Sequence, residues 1–208
     1  MAQSGDEDGV VSVITLWIGI YIACEIISNV TAAKPVQVGP IVVPAAIFLY
    51  AFTFTLLDVL HRELGYKGLR TVIWAGFAAN VLLAFYTWFA VSLPAARFYP
   101  NAEAYASVLG STPRIVVASL LAYLASSFAD REIYHWVVFR WGAKPWLRVV
   151  TSNAVSTLVD SVLFISIAFV GVFPITGLIV GQYVIKMAVA VVSLPLVYLA
   201  RSRATTCS

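Results

Sequence analysis

The chain has 208 residues, 61% of them apolar and 11% charged, with a mean hydropathy of +0.91. Soluble domains carry about a quarter charged residues, so the composition indicates an integral membrane protein: one membrane domain over residues 1–208, with polar tails at 1–9 and 201–208. A net charge of +3 is too small and too dispersed to suggest nucleic-acid binding.

No G-x-x-x-x-G-K-[ST] phosphate loop occurs, so any ATP would have to be hydrolysed by a partner. Cys24 lies in the first apolar run and Cys207 in the tail, which suggests neither a disulfide framework nor a metal knuckle. Residues 1–9 are polar and acidic, and the apolar run behind them is too long for a signal-peptide core, so it is expected to be retained.

In chain order, the first predicted span covers residues 10–31 and ends at K-P-V-Q-V-G-P, whose prolines and glycine break a helix. The second covers 44–60, with Pro44 at a helix start, where its missing N–H costs nothing. The charged stretch H-R-E-L-G-Y-K-G-L-R is expected to be a loop, followed by a third span at 71–93. Residues 94–113 form the longest break, with room for a short interfacial helix. The fourth span covers 114–138, the fifth 149–173 and the sixth 178–200, with R-W-G-A-K-P-W-L-R between the fourth and fifth. Each reaches the roughly 17 residues that cross about 30 Å of hydrocarbon. The expected fold is all-α, a polytopic bundle of six transmembrane helices.

Short-loop lysines and arginines set the expected orientation. Arg62, Lys67, Arg70, Arg140, Lys144, Arg148, Arg201 and Arg203 lie on the side of both termini, against Lys34, Arg97 and Arg114 opposite. The positive-inside rule then places the N and C termini in the cytoplasm.

Polar residues deep in such segments need a reason, because leaving one unpaired in hydrocarbon costs a few kcal/mol. Asn153, Ser156, Thr157 and Asp160 share one helix face at i, i+3, i+4 and i+7, and Gln182 and Lys186 form an i, i+4 pair on the next helix. By depth, Glu25, Ser28 and Asn29 belong with Gln182 and Lys186 in the outer half, and Asp160 near the middle. Asp58, His61, Arg62, Asp130, Arg131, Glu132 and His135 fall at the cytoplasmic ends of spans two and four, and Asn153 at the inner end of span five. This division suits a solute site outside and a gate below it, with Asp58, Arg62 and Asp130 as gate or coupling candidates. The competing reading treats the inner group as interfacial charges and Asp160 with Lys186 as a buried structural pair.

I-S-N-V-T-A-A-K (27–34), P-A-A-I-F-L-Y-A-F-T-F-T-L-L-D-V-L-H-R-E-L-G-Y-K (44–67), R-I-V-V-A-S-L-L-A-Y-L (114–124), S-N-A-V-S-T-L-V-D-S-V-L-F-I-S-I-A-F (152–169) and Q-Y-V-I-K (182–186) follow in order along nearly the whole chain. They resemble the queuosine precursor transporter family, also called the vitamin uptake transporter family. The resemblance implies a six-helix protein similar in architecture to substrate-binding components of energy-coupling-factor transporters. It also implies a multi-pass protein of the prokaryotic plasma membrane that imports 7-deazaguanine precursors of queuosine or archaeosine for tRNA modification. The matched positions Ser28, Asn29, Asp58, Arg114, Asn153, Asp160, Gln182 and Lys186 are candidate functional residues by that resemblance. Glu25 is added for its depth and its i, i+4 relation to Asn29.

A 7-deazaguanine presents N1–H beside a 2-amino group, a donor pair that one carboxylate accepts. Asp160 is the first candidate acceptor and Glu25 the second. Asn29, Asn153, Gln182 or Lys186 would donate to the oxygen carried on the ring, and Tyr183, Phe164 or Tyr21 would offer an aromatic face. No cofactor is implied, and the bilayer and the small-molecule substrate are the expected partners, with an ATPase or a second copy of the chain as alternatives. The ATP-driven version would make the chain the substrate-binding component of a vitamin transporter. A reading from another class is a membrane metalloenzyme, from the carboxylate-x-x-His pairs Asp58/His61 and Glu132/His135. It lacks two further carboxylates at that depth. A passive channel is disfavoured by the opposite charges of Asp160 and Lys186.

Overall fold

The computed structural model describes residues 3–141 and 145–204. They form helices α1 (Gln3–Thr31), α2 (Ile47–Ser92), α3 (Ala102–Leu109), α4 (Thr112–Trp141), α5 (Pro145–Phe169) and α6 (Ile175–Ala204), with a two-stranded hairpin of β1 (Pro35–Val38) and β2 (Ile41–Pro44) after α1. Pro113 and Pro145 sit in the first turns of α4 and α5, and Pro174 immediately precedes α6. A helix start leaves its first N–H groups without intrahelical partners, so proline loses nothing there.

Three described runs are long and apolar enough to cross a membrane: Val13–Thr31, Glu63–Ser92 and Ala102–Asp130. Shorter apolar helices occupy Asn153–Phe169 and Ile175–Val189. This is a mostly helical membrane protein.

The charged stretch expected as a loop after residue 60 is helical on both sides of a single residue. Gly65 carries φ 64° and ψ −174° and divides α2 into two arms. That backbone region is open essentially to glycine alone, and a β-carbon there costs on the order of 1–3 kcal/mol. One glycine thus does what the sequence assigned to a ten-residue loop.

The second difference lies at residues 35–44, where a hairpin stands in place of a plain break and the helix begins at Ile47 rather than Pro44. Gly39 has φ 59°, and Pro40 cannot follow it with a second positive φ, which leaves a II′-type turn, one that matches strand twist. The expected short helix within 94–113 is present as α3.

The chain falls into two compact units, residues 1–35 with 44–117, and residues 36–43 with 118–208. In the first, α1 packs on α2 through buried Tyr21, Cys24, Leu56, Leu60 and Val72. Lipid tails are as apolar as these side chains, so close packing and interhelical hydrogen bonds hold such a contact together. The Thr31 hydroxyl closes α1 by donating to the Ile27 carbonyl at 2.8 Å, and the Ala45 N–H donates to the Lys34 carbonyl at 2.8 Å, clamping the chain below the hairpin. In the second unit α5 packs on α6, with Ser161, Ile165, Ala168 and Phe169 forming the buried face of α5 and Leu178 and Gln182 buried on α6.

Candidate functional site

In the second unit, Asp160 Oδ2 of α5 accepts a charge-assisted hydrogen bond from Lys186 Nζ of α6. Both side chains are largely buried, at 14% and 12% exposed, too little for water to screen the pair. Asp160 makes no other hydrogen bond among the described residues. Its carboxylate offers about four lone-pair positions, so Oδ1 and the remaining capacity of Oδ2 stay available to a ligand.

Gln182 stands one turn before Lys186 on α6. It is only 3% exposed, and its carboxamide has no hydrogen-bond partner among the described residues. A primary amide brings two donors and an acceptor. An amide uncommitted within the protein, beside an ion pair, is what a polar ligand would engage.

Asn153 lies two turns before Asp160 on α5. It is half-buried, and its backbone carbonyl accepts from the Ser156 hydroxyl at 3.3 Å. Thr157 and Phe164 are half-buried on the same helix; Phe164 meets Phe169 edge-on at 6.0 Å between ring centroids, and Phe169 meets Phe173 at 5.8 Å. Tyr183 is half-buried on α6.

In the first unit, α1 and α2 are joined by a buried amide pair that the sequence reading missed. Asn29 Nδ2 donates to Asn80 Oδ1 at 2.7 Å and to the Glu25 carbonyl at 3.2 Å, while Asn80 Nδ2 donates to the Gly76 carbonyl at 3.1 Å. Interhelical hydrogen bonds of this kind contribute roughly 0.6–2 kcal/mol in membrane proteins. The Tyr21 ring lies over Gly76, where a β-carbon would come within 3.3 Å of it. Ser28 is buried, and its hydroxyl has no partner among the described residues. Glu25 is half-buried beside them.

Of the inner group, Asp130 is half-buried on α4, with Oδ1 fully enclosed and unpartnered among the described residues. Arg114 is exposed near the start of α4. The side chains of Asp58, Arg62, Arg131 and His135 lie outside the described residues, which leaves the Asp58/His61 and Glu132/His135 pairing without a geometry. The structure therefore brings together Asp160, Lys186 and Gln182 on two packed helices, and separately Glu25, Ser28, Asn29 and Asn80.

Residues 44–200 match the family described as "Putative vitamin uptake transporter". The chain belongs to this family. It is also similar to a "Probable queuosine precursor transporter" of Bacillus subtilis (strain 168), with 29% identity over 191 residues, covering 89% of this chain and 82% of that protein. No solved structure matches. The match to the vitamin uptake transporter family takes in both arms of α2, α4, α5 and nearly all of α6, so Asp160, Gln182 and Lys186 all lie inside it.

Proposed function

We propose that the protein imports 7-deazaguanine precursors of queuosine, 7-cyano-7-deazaguanine or its aminomethyl form, through the plasma membrane of a prokaryote. The name of the Bacillus subtilis relative supports the substrate class. The observation that carries the reading is the Asp160–Lys186 pair with the uncommitted amide of Gln182 one helical turn away. The carboxylate accepts N1–H and the 2-amino group of the deazaguanine, and Lys186 balances its charge in a medium of low dielectric. Gln182 donates to the exocyclic 6-oxo oxygen, and Asn153 lies on the same face of α5, toward the cytoplasmic end. Glu25 and Asn29 are proposed substrate contacts of the first unit, with Asp58, Arg62 and Asp130 as gate or coupling residues.

The purified protein should bind 7-cyano-7-deazaguanine and discriminate against guanine and riboflavin in a calorimetric titration. Tight binding of a different vitamin, with no binding of any deazapurine, would overturn the substrate assignment.

The topology proposed with this function has six spans and both termini in the cytoplasm, as the short-loop lysines and arginines require. Single cysteines in the 94–113 segment should react with an impermeant thiol reagent from outside intact cells, while cysteines at 63–70 should be protected. Reversed labelling would invert the orientation and the placing of gate and substrate residues.

A further inference from the structure

The hairpin is not a passive connection, because it is seated on the substrate helix. A β-carbon built at Gly181 of α6 would collide with the Val42 carbonyl oxygen and come within 2.9 Å of Val43 Cγ1. The hairpin's register explains why a carbonyl points there. A two-residue turn at Gly39-Pro40 pairs Val38 with Ile41 through hydrogen bonds, so residues 36 and 43 are the next hydrogen-bonded pair, and residues 37 and 42 direct their N–H and C=O groups outward. The prolines at both ends agree, since Pro35 and Pro44 fall at positions whose N–H would point away from the ladder. The outer edge of β2 therefore faces α6. Val43 is fully enclosed, while Gln37 and Val42 are exposed.

An exposed sheet edge has unpaired backbone groups and is normally covered. Here α6 covers it at a residue with no side chain, immediately before Gln182, whose buried amide has no partner among the described residues. Resting on the proposed function above, we propose that the β1–β2 hairpin is a fixed wall of the ligand site and that Gly181 is its positioning residue. The absent side chain sets how closely the β2 edge approaches the Gln182 turn, and so how the wall stands beside the Gln182 amide.

Gly181→Ala tests this, because its local and tertiary effects have opposite signs. Alanine is the better helix former, so α6 itself gains, while the Val42 carbonyl must move away. Gly177→Ala is the control, since a β-carbon there meets nothing within 4 Å. The expected result is faster amide hydrogen exchange in residues 36–43 of ligand-free Gly181→Ala protein, and affinity for 7-cyano-7-deazaguanine lowered by more than about tenfold. Gly177→Ala should change neither. In a protein whose residues 36–43 are replaced by a glycine-serine linker, Gly181→Ala should have no further effect on affinity, because the wall it displaces is gone. Unchanged hairpin exchange in Gly181→Ala, or affinity within about twofold of the parent, would overturn the proposal. If the parent binds no deazapurine at all, the substrate assignment fails, while the exchange comparison still decides whether Gly181 seats the hairpin.

Discussion

Asp160→Asn should abolish tight binding of a 7-deazaguanine while leaving the helix sterically intact. The substitution keeps the size of the side chain but turns one acceptor oxygen into a donor that faces N1–H or the 2-amino group. A charge-assisted pair is lost and a buried mismatch is added, together on the order of 2–5 kcal/mol, or more than about tenfold in affinity. The same change removes the negative partner of the Lys186 ammonium, and breaking a buried pair from one side costs about 3–5 kcal/mol of stability. Lys186→Met should be destabilising for the mirror reason. The double variant Asp160→Asn, Lys186→Met removes both charges and should recover most of the stability. Thermal unfolding in detergent and ligand titration of both single variants and the double separate the two roles. A stable double variant that binds no deazaguanine supports a ligand role for Asp160, whereas one that binds like the parent reduces the pair to a packing device.

Gln182→Leu has the opposite signature, and the contrast between the two positions is informative. Because the buried amide of Gln182 has no partner among the described residues, replacing it with an apolar side chain of similar size breaks no internal hydrogen bond. Thermal stability should therefore stay level or rise. Affinity should nevertheless fall by more than about tenfold, because the 6-oxo oxygen of the ligand loses its donor and is buried without one. Functional sites commonly hold groups whose removal stabilises the protein at the expense of activity. A Gln182→Leu protein that unfolds earlier and binds normally would mark the residue as structural.

The helices were legible in the sequence because long apolar runs, punctuated by prolines and charged stretches, leave few alternatives in a bilayer. The pairing of Asp160 with Lys186 was legible for a related reason: opposite charges deep in neighbouring spans are costly to leave apart. Charge was a misleading guide at residues 61–70, where H-R-E-L-G-Y-K-G-L-R reads as a loop although helical turns run up to Gly65 and resume after it. The hairpin left a weaker trace. V-Q-V and I-V-V flank Gly39-Pro40, a recognisable strand-turn-strand pattern, but beside long helical runs a four-residue strand is easily absorbed into a helix break. Asn80 had the same signal as Asn29, a lone amide in an apolar run, and its role emerged only when α1 and α2 were seen to share a polar contact. Gly181 carried no signal at all, since nothing in a sequence shows that a distant carbonyl occupies the space where a side chain would stand.

The central claim is that Asp160 reads the N1–H and 2-amino edge of a 7-deazaguanine. Its most direct test is a comparison of 7-cyano-7-deazaguanine with the analogue lacking the 2-amino group, titrated into the parent protein and into Asp160→Asn. The parent should bind the analogue more than about tenfold more weakly, because one carboxylate oxygen loses its partner, and Asp160→Asn should distinguish the two ligands little or not at all. Equal affinity of the parent for both, or full discrimination surviving in Asp160→Asn, would contradict the account.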